Sequence, residues 1–383
     1  MKIAYYCQHV LGVGHLHRSL EICRALSTQH NVTMITGGSR LNITEGAVDF
    51  FQLPGLMMDR NFNNLTPCDS SRSLDDVKID RKKSLFHFFE ENEPEIFLVE
   101  LYPFGRKAFR FELDPVLMGI KSRQLPPCRI YCSLRDILVE RSDLEKFEQR
   151  IITTLNTCFD GLLIHGEKTL TPLEETFSRT TDITIPTVYT GYVTPKPAEN
   201  SRISVRKKLE IPPESRLIVA SIGGGNVGEE LLINVAKTFE QLHDEKLFLQ
   251  IFTGPYANSK LLNELKKLAN KHLRVDQFSP HFPDWLAAAD LSISMAGYNT
   301  CMNILAAGVP ALLYPFNQNQ EQLLRVQKLT ERVPFIILRQ QDLKPTPLTN
   351  LMYSQLKKRR FVSPVNLDGA ANTVKQVEKW HFT

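Results

Sequence analysis

The chain has 383 residues, of which 42% are hydrophobic and 23% charged, with a formal net charge of +4. That length exceeds what one compact core usually holds, and the composition is ordinary for a globular enzyme. The mild charge and the lack of interleaved aromatic and basic residues exclude a nucleic-acid partner, no apolar run is long enough for a bilayer, and the opening residues lack a signal peptide's pattern. A cytoplasmic location is therefore expected. The seven cysteines have no framework spacing, and Cys128 and Cys132 lack a second pair to complete a zinc site, so reduced thiols are expected.

Apolar strand-like runs alternate with amphipathic helix-like runs, beginning with KIAYYC. Residues 9 to 19, HVLGVGHLHRS, follow that strand and put Gly12, Gly14 and His15 where a helix should start. Such a loop can cradle a phosphate, present a histidine base or simply turn tightly, and the residues alone leave all three open. NVTMITG is the next strand. RKKSLFHFFEENE, residues 81 to 93, mixes basic residues with Phe86, Phe88 and Phe89. An amphipathic helix burying those rings is the simpler expectation, and contact with an anionic membrane is the alternative.

EIFLVEL ends near Glu100, followed by Arg106, Lys107 and Arg110. Glu100 can orient a histidine or pair with Arg106 or Arg110; the basic residues can meet an anionic acceptor or form a solvated face. CRIYCSL, GLLIHG and TVYTGYV complete the first half, and TPKPAENSR, residues 194 to 202, suits a linker. Continuous apolar strands of this kind belong in parallel sheets covered on both faces. The expected fold class is α/β, with two doubly wound, Rossmann-like parallel-sheet domains at 1–195 and 203–365 facing a cleft, and residues 366–383 ending in a helix. In such sheets ligands bind beyond the C-terminal strand ends.

In the second half RLIVASI leads into SIGGGNVG, which holds Gly223, Gly224, Gly225 and Asn226. It formally contains G-x-G-x-x-G, yet the following strand, LFLQIFTGP, ends without the acid a dinucleotide site wants. What remains is a glycine loop whose N–H groups can meet an anion. LRVDQF ends at Phe278. LSISM then leads into AGYNTCMN, where Gly297 precedes a helix opened by Tyr298, Asn299 and Thr300. Those free N–H groups could hold a diphosphate without a metal, and no D-x-D pair offers to chelate one. After PALLYPF, Glu321 and Gln322 open another helix and suit ring hydroxyls. PFIIL is the last strand, and KKRR at 357–360 suits a solvated helix end.

This order of motifs resembles the GT-B glycosyltransferases over most of the chain. In plant and animal UDP-sugar transferases a G-H pair after the first strand supplies the catalytic base, and the matching pair here is Gly14-His15. The bacterial N-acetylglucosaminyltransferase that makes lipid II has a G-x-x-T-x-x-E helix start, which here runs from Gly297 through Thr300 to Asn303, and a proline followed by Q-Q, which here spans Pro315 to Gln322. VELYPFGRKAFRFELDPVL, CSLRDIL, LLIHGEKTL, YTGYV and MAGYNT look like signatures of a bacterial group of predicted GT-B glycosyltransferases. The usual ribose-binding Glu is Asn303, and arginines common in the Pro315 loop are replaced by Asn317, Gln318, Asn319 and Gln320.

The resemblance implies a metal-independent, inverting transfer from a nucleotide sugar, a UDP-hexose or UDP-N-acetylhexosamine, to an acceptor hydroxyl, with no further cofactor. His15 would be the base and Glu100 its orienting acid; the backbone near Phe278 would receive the nucleobase edge. The acceptor would be a small or lipid-linked molecule met by Gly12, Gly14 and Arg106, the latter case bringing the protein to the inner face of the membrane. The final helix of such enzymes crosses back to the first domain. A nucleotide-sugar epimerase on the same fold and a non-catalytic nucleotide-sugar-binding partner are the alternatives.

Overall fold

The computed structural model describes residues 1–8, 14–38, 46–58, 64–138, 144–316 and 320–382. The chain forms two units, Met1–Val193 with Asp368–Thr383, and Thr194–Leu367.

The first unit contains strands β1 (Lys2–Tyr6), β2 (Asn31–Thr36), β3 (Asp49–Gln52), β4 (Leu56–Met58), β5 (Leu65–Pro67), β6 (Ile96–Glu100), β7 (Arg129–Arg135), β8 (Gly161–His165) and β9 (Thr187–Tyr189). Seven form a parallel sheet in the order β3-β2-β1-β6-β7-β8-β9, and β4 and β5 form a separate antiparallel pair. Both faces are covered. Ala4 and Tyr6 of β1 enter one apolar cluster with Phe97 and Val99, while Ile3 and Tyr5 enter another with Ile96 and Leu98. That is why these strands read as unbroken apolar runs. The helix Gly369–Phe382 belongs to this unit: Val374 and Val377 join the second cluster, and its first residue donates to Tyr192 O at 3.0 Å.

The second unit has β10 (Arg216–Ser221), β11 (Leu247–Phe252), β12 (Leu273–Asp276), β13 (Leu291–Met295), β14 (Ala311–Tyr314) and β15 (Phe335–Ile337), all parallel in the order β12-β11-β10-β13-β14-β15. In each sheet the chain starts centrally, winds one way, then reverses. The reversal lies between β1 and β6 in the first sheet and between β10 and β13 in the second. A doubly wound sheet opens a crevice at that point.

Several segments that the sequence left at the surface make defined contacts. Residues 194–202 are bonded into the second unit: Ala198 N and Ser201 Oγ both donate to Asp284 Oδ1, at 2.8 and 2.6 Å. Arg81, at the head of the basic stretch, is fully buried beside Glu112, and Phe88 and Phe89 sit in the core, as the amphipathic-helix reading expects. The helix Leu74–Asn92 therefore keeps those two rings from any membrane. The KKRR end at 357–360 is exposed as expected, and Arg360 in addition donates to the carbonyls of Ala289 and Ala307. A buried carbonyl cluster accepts a guanidinium, and the sequence shows only the cation. Among the described residues no helix is long and apolar enough to cross a membrane. All seven cysteines are unpaired.

Candidate active site

The helix Gly14–Ser27 follows β1, and Glu100 is the last residue of β6, so the two flank the first reversal point. His15 Nδ1 lies 2.6 Å from Glu100 Oε1. With an ionised carboxylate opposite, Nδ1 carries the ring proton, which leaves the Nε2 lone pair as the acceptor. Glu100 has no exposed surface, while a quarter of the His15 side chain, 25%, is exposed.

Two arginines complete the cluster. Arg18 Nη2 donates to Glu100 Oε1 at 2.6 Å, and Arg106 Nη2 donates to Oε2 at 3.1 Å. Arg110 pairs instead with Asp114 at 3.0 Å. The two uses foreseen for Glu100, orienting a histidine and pairing with Arg106, thus coexist. Arg106 is turned to Glu100, one of the two uses open to it in the sequence. Arg18 was not foreseen, although its spacing of three from His15 puts both on one helix face.

Burial alone would raise the Glu100 carboxyl, but His15, Arg106 and Arg18 outweigh it and hold the group well below the usual carboxylate range. Burial lowers His15 to about 4, with Glu100 opposing and Arg106 and Arg18 reinforcing the shift. The imidazole is therefore neutral at ordinary pH. Beneath it lies a closed polar chain. Ser133 Oγ sits 2.8 Å from Tyr5 Oη and 2.7 Å from His165 Nε2, and His165 Nδ1 is 2.9 Å from Thr190 Oγ1. Gly12 and His9 lie outside the described residues.

In the second unit the reversal point is flanked by the loop after β10, which contains Gly223 to Asn226, and the helix Tyr298–Ala307 after β13. A Cβ built on Gly223 would lie 3.9 Å from Thr300 Oγ1, so the two segments adjoin. Their glycines differ in kind. Gly225 has φ +93°, and a Cβ there would lie 2.6 Å from Ala257 N, so the fold itself demands glycine. Among the described residues, Gly224, with ordinary φ, has only Tyr256 nearby, at 3.9 Å, and a Cβ on Gly297 would meet nothing within 4 Å. Neither backbone strain nor packing asks for glycine at those two positions. No side chain caps the helix behind Gly297.

Other expected donor residues are engaged by the protein. Asn303 Oδ1 accepts from Thr194 Oγ1 at 2.7 Å, and Gln322 Oε1 accepts from Phe316 N at 3.0 Å. In both residues the amide oxygen is held by the chain itself. Glu321 is buried at its helix start, and Tyr298 lies under the Arg325 guanidinium, 5.2 Å from the ring centroid. Asn299 is half-buried and Asn226 exposed. Phe278 is 49% exposed and rims a cavity of about 400 Å³ lined also by Phe252, Trp285 and Lys208. None of the glycine-loop residues lines that cavity. Residues 317–319 lie outside the described residues.

Residues 219–379 match the family model described as the glycosyltransferase family 28 C-terminal domain. Among curated proteins, the UDP-N-acetylglucosamine–N-acetylmuramyl-(pentapeptide) pyrophosphoryl-undecaprenol N-acetylglucosamine transferase of Acetivibrio thermocellus is 26% identical over 168 residues, 43% of this chain and 45% of the relative. The same-named protein of Carboxydothermus hydrogenoformans is 33% identical over 119 residues, 30% of this chain and 31% of the relative. Both matches span less than half of the relative's length.

Solved structures match over the whole chain. The glycotransferase of kitacinnamycin gives a TM-score of 0.62 at 14% identity, covering 100% of this chain and 94% of that one. Acinetobacter baumannii MurG gives 0.58 at 14% identity, covering 99% and 100%. A UDP-glucosyltransferase from Polygonum tinctorium gives 0.61 at 12% identity, covering 100% and 98%. The chain has the GT-B fold of these solved structures, and its second half is similar to the glycosyltransferase family 28 C-terminal domain.

Proposed function

We propose that the protein is an inverting, metal-independent glycosyltransferase that moves a sugar from a UDP-sugar to an acceptor hydroxyl. The observation that carries this is the 2.6 Å contact between His15 Nδ1 and Glu100 Oε1 at a reversal point of the first sheet. It leaves Nε2 of a neutral imidazole to take the acceptor's proton as the hydroxyl oxygen attacks the anomeric carbon. The bond from that carbon to the diphosphate oxygen breaks, UDP leaves with the electron pair, and the proton stays on His15. Glu100 offsets the positive charge that appears on the ring.

The donor side is supported by Gly224 and Gly297, two glycines that the fold does not require. A ligand approaching the backbone is the remaining reason for a missing side chain, and N–H groups of a loop and a helix start suit a diphosphate. The relatives' names specify UDP-N-acetylglucosamine as donor and a pyrophosphoryl-undecaprenol-linked acceptor, so UDP-N-acetylhexosamines and lipid-linked acceptors are the first classes to try. The epimerase alternative is weakened. It needs a carboxylate basic enough for a carbon acid, and Glu100 is held ionised by three neighbours.

The test is a thermal shift with UDP and UDP-sugars, with and without EDTA, followed by transfer of labelled sugar. A rise in Tm that survives EDTA is expected. Binding that EDTA abolishes and a divalent ion restores would overturn metal independence, and release of label from the sugar C2 position would indicate epimerisation.

A further inference from the structure

The two oxygens of Glu100 are held differently. Oε1 is shared by His15 and Arg18, each at 2.6 Å, while Oε2 takes Arg106 alone at 3.1 Å. Arg18 is buried, and its Nη2 also lies 3.3 Å from His15 Nδ1. A histidine beside a lone carboxylate gains a proton readily; here burial opposes that gain most, and the two guanidiniums on the carboxylate add to the opposition. The remaining titratable neighbours are uncharged near neutrality. Burial pushes the Cys7 thiol, at the end of β1, up to about 12, with Glu100 adding to the shift. Burial likewise raises Cys132 on β7 and lowers His165 on β8 to about 3. His17, two residues along the same helix, is lowered by burial and then by Arg24. The charges at the site are therefore those of Glu100, Arg18 and Arg106.

We propose that Arg18 is a positioning residue for His15: it shares Glu100 Oε1 with the imidazole and fixes the carboxylate against the ring. Its guanidinium, 3.3 Å from His15 Nδ1, also opposes protonation of the ring. This rests on His15 acting as the base. Its consequence is a base that still accepts protons in moderately acidic solution, at the expense of intrinsic basicity.

Two variants separate this from a scaffold role. Arg18→Met removes charge and fork, whereas Arg18→Lys keeps the charge but loses the planar fork. NMR titration of the His15 ring requires neither donor nor acceptor, so it stands apart from the proposed reaction. The expected midpoint is about 4 in the unaltered protein. It should rise in Arg18→Met and stay low in Arg18→Lys. In kcat at saturating UDP-sugar, the acid limb should move with the ring in Arg18→Met. Arg18→Lys should lower kcat without moving the limb. An unmoved His15 midpoint in folded Arg18→Met overturns the proposal, as does an ordinary histidine midpoint in the unaltered protein. If Arg18→Met fails to fold, Arg18→Lys decides: unchanged kcat there also overturns it. A ring that titrates as expected while kcat ignores the titration removes the base role and leaves the tuning intact.

Discussion

Arg81 and Glu112 form an ion pair with no exposed surface on either side chain. Arg81 Nε and Nη2 grip the two carboxylate oxygens at 2.6 and 2.5 Å, and Tyr6 Oη donates to Oε1 at 2.5 Å. The other guanidinium hydrogens go to Gly37 O, Pro54 O and Gln8 Oε1. Removing one partner strands a buried charge. Arg81→Met should therefore cost roughly 3–5 kcal/mol in urea unfolding, and Arg81→Met with Glu112→Leu should recover much of that. A single variant as stable as the parent would show that solvent reaches the pair.

The glycines of the second unit should divide into two classes under mutation. Gly225→Ala forces a side chain into left-handed backbone against Ala257, so a loss of at least about 1–2 kcal/mol is expected. Gly297→Ala has open space and ordinary φ, and its stability should be unchanged. Gly297→Asp should also fold, yet raise the Kd for UDP roughly tenfold or more, because its charge opposes the diphosphate at a helix start. Unchanged UDP affinity in that variant would move the donor site elsewhere.

His15→Ala should leave the Kd for UDP near normal and lower kcat by about a hundredfold to ten-thousandfold. His17→Ala is the control, since lying two residues along the helix from His15 places its side chain near the opposite face. A raised donor Kd with unchanged kcat would instead make the first loop a phosphate cradle.

Acid should destabilise the protein well above the range where carboxylates titrate. His15 and His165 are lowered to about 4 and about 3, so the folded state resists protons that the unfolded chain accepts. Stability from these rings is fully present above pH 6.5 and falls as pH drops through the unfolded value, until each folded value is reached. By pH 5 each ring should cost about 2 kcal/mol relative to pH 7. Urea midpoints at pH 7.5 and 5.0 measure this, and equal midpoints would mean that the folded rings are already accessible to protons.

The sheets were legible because strands buried on both faces leave apolar runs that no solvent-exposed face interrupts. β3 escaped notice because its Phe50 and Phe51 are only half-buried and flanked by exposed Asp49 and Gln52. Glu100 and His15 were legible as ends of elements at one sheet edge. Arg18 was not, because nothing local distinguishes an arginine that meets a distant carboxylate from one that meets water. The same holds for Arg81 and Arg360, whose partners come from separate parts of the chain. Asn303 is the sharpest case: its partner, Thr194, lies 109 residues away.

The helix Gly369–Phe382 carries a consequence for biosynthesis. Trp380 lies against Tyr131, with ring centroids 5.1 Å apart, and so close to Gly161 that a Cβ there would lie 2.6 Å from the indole. A ribosome makes residues 1–193 first, yet the slot over β7 and β8 stays open until the intervening unit has been made and the last helix emerges. The nascent first unit must wait with part of its apolar surface uncovered, a state in which chaperones bind and proteases cut. Supplying residues 369–382 in trans as a peptide should close that slot on an isolated 1–193 fragment and raise its resistance to proteolysis.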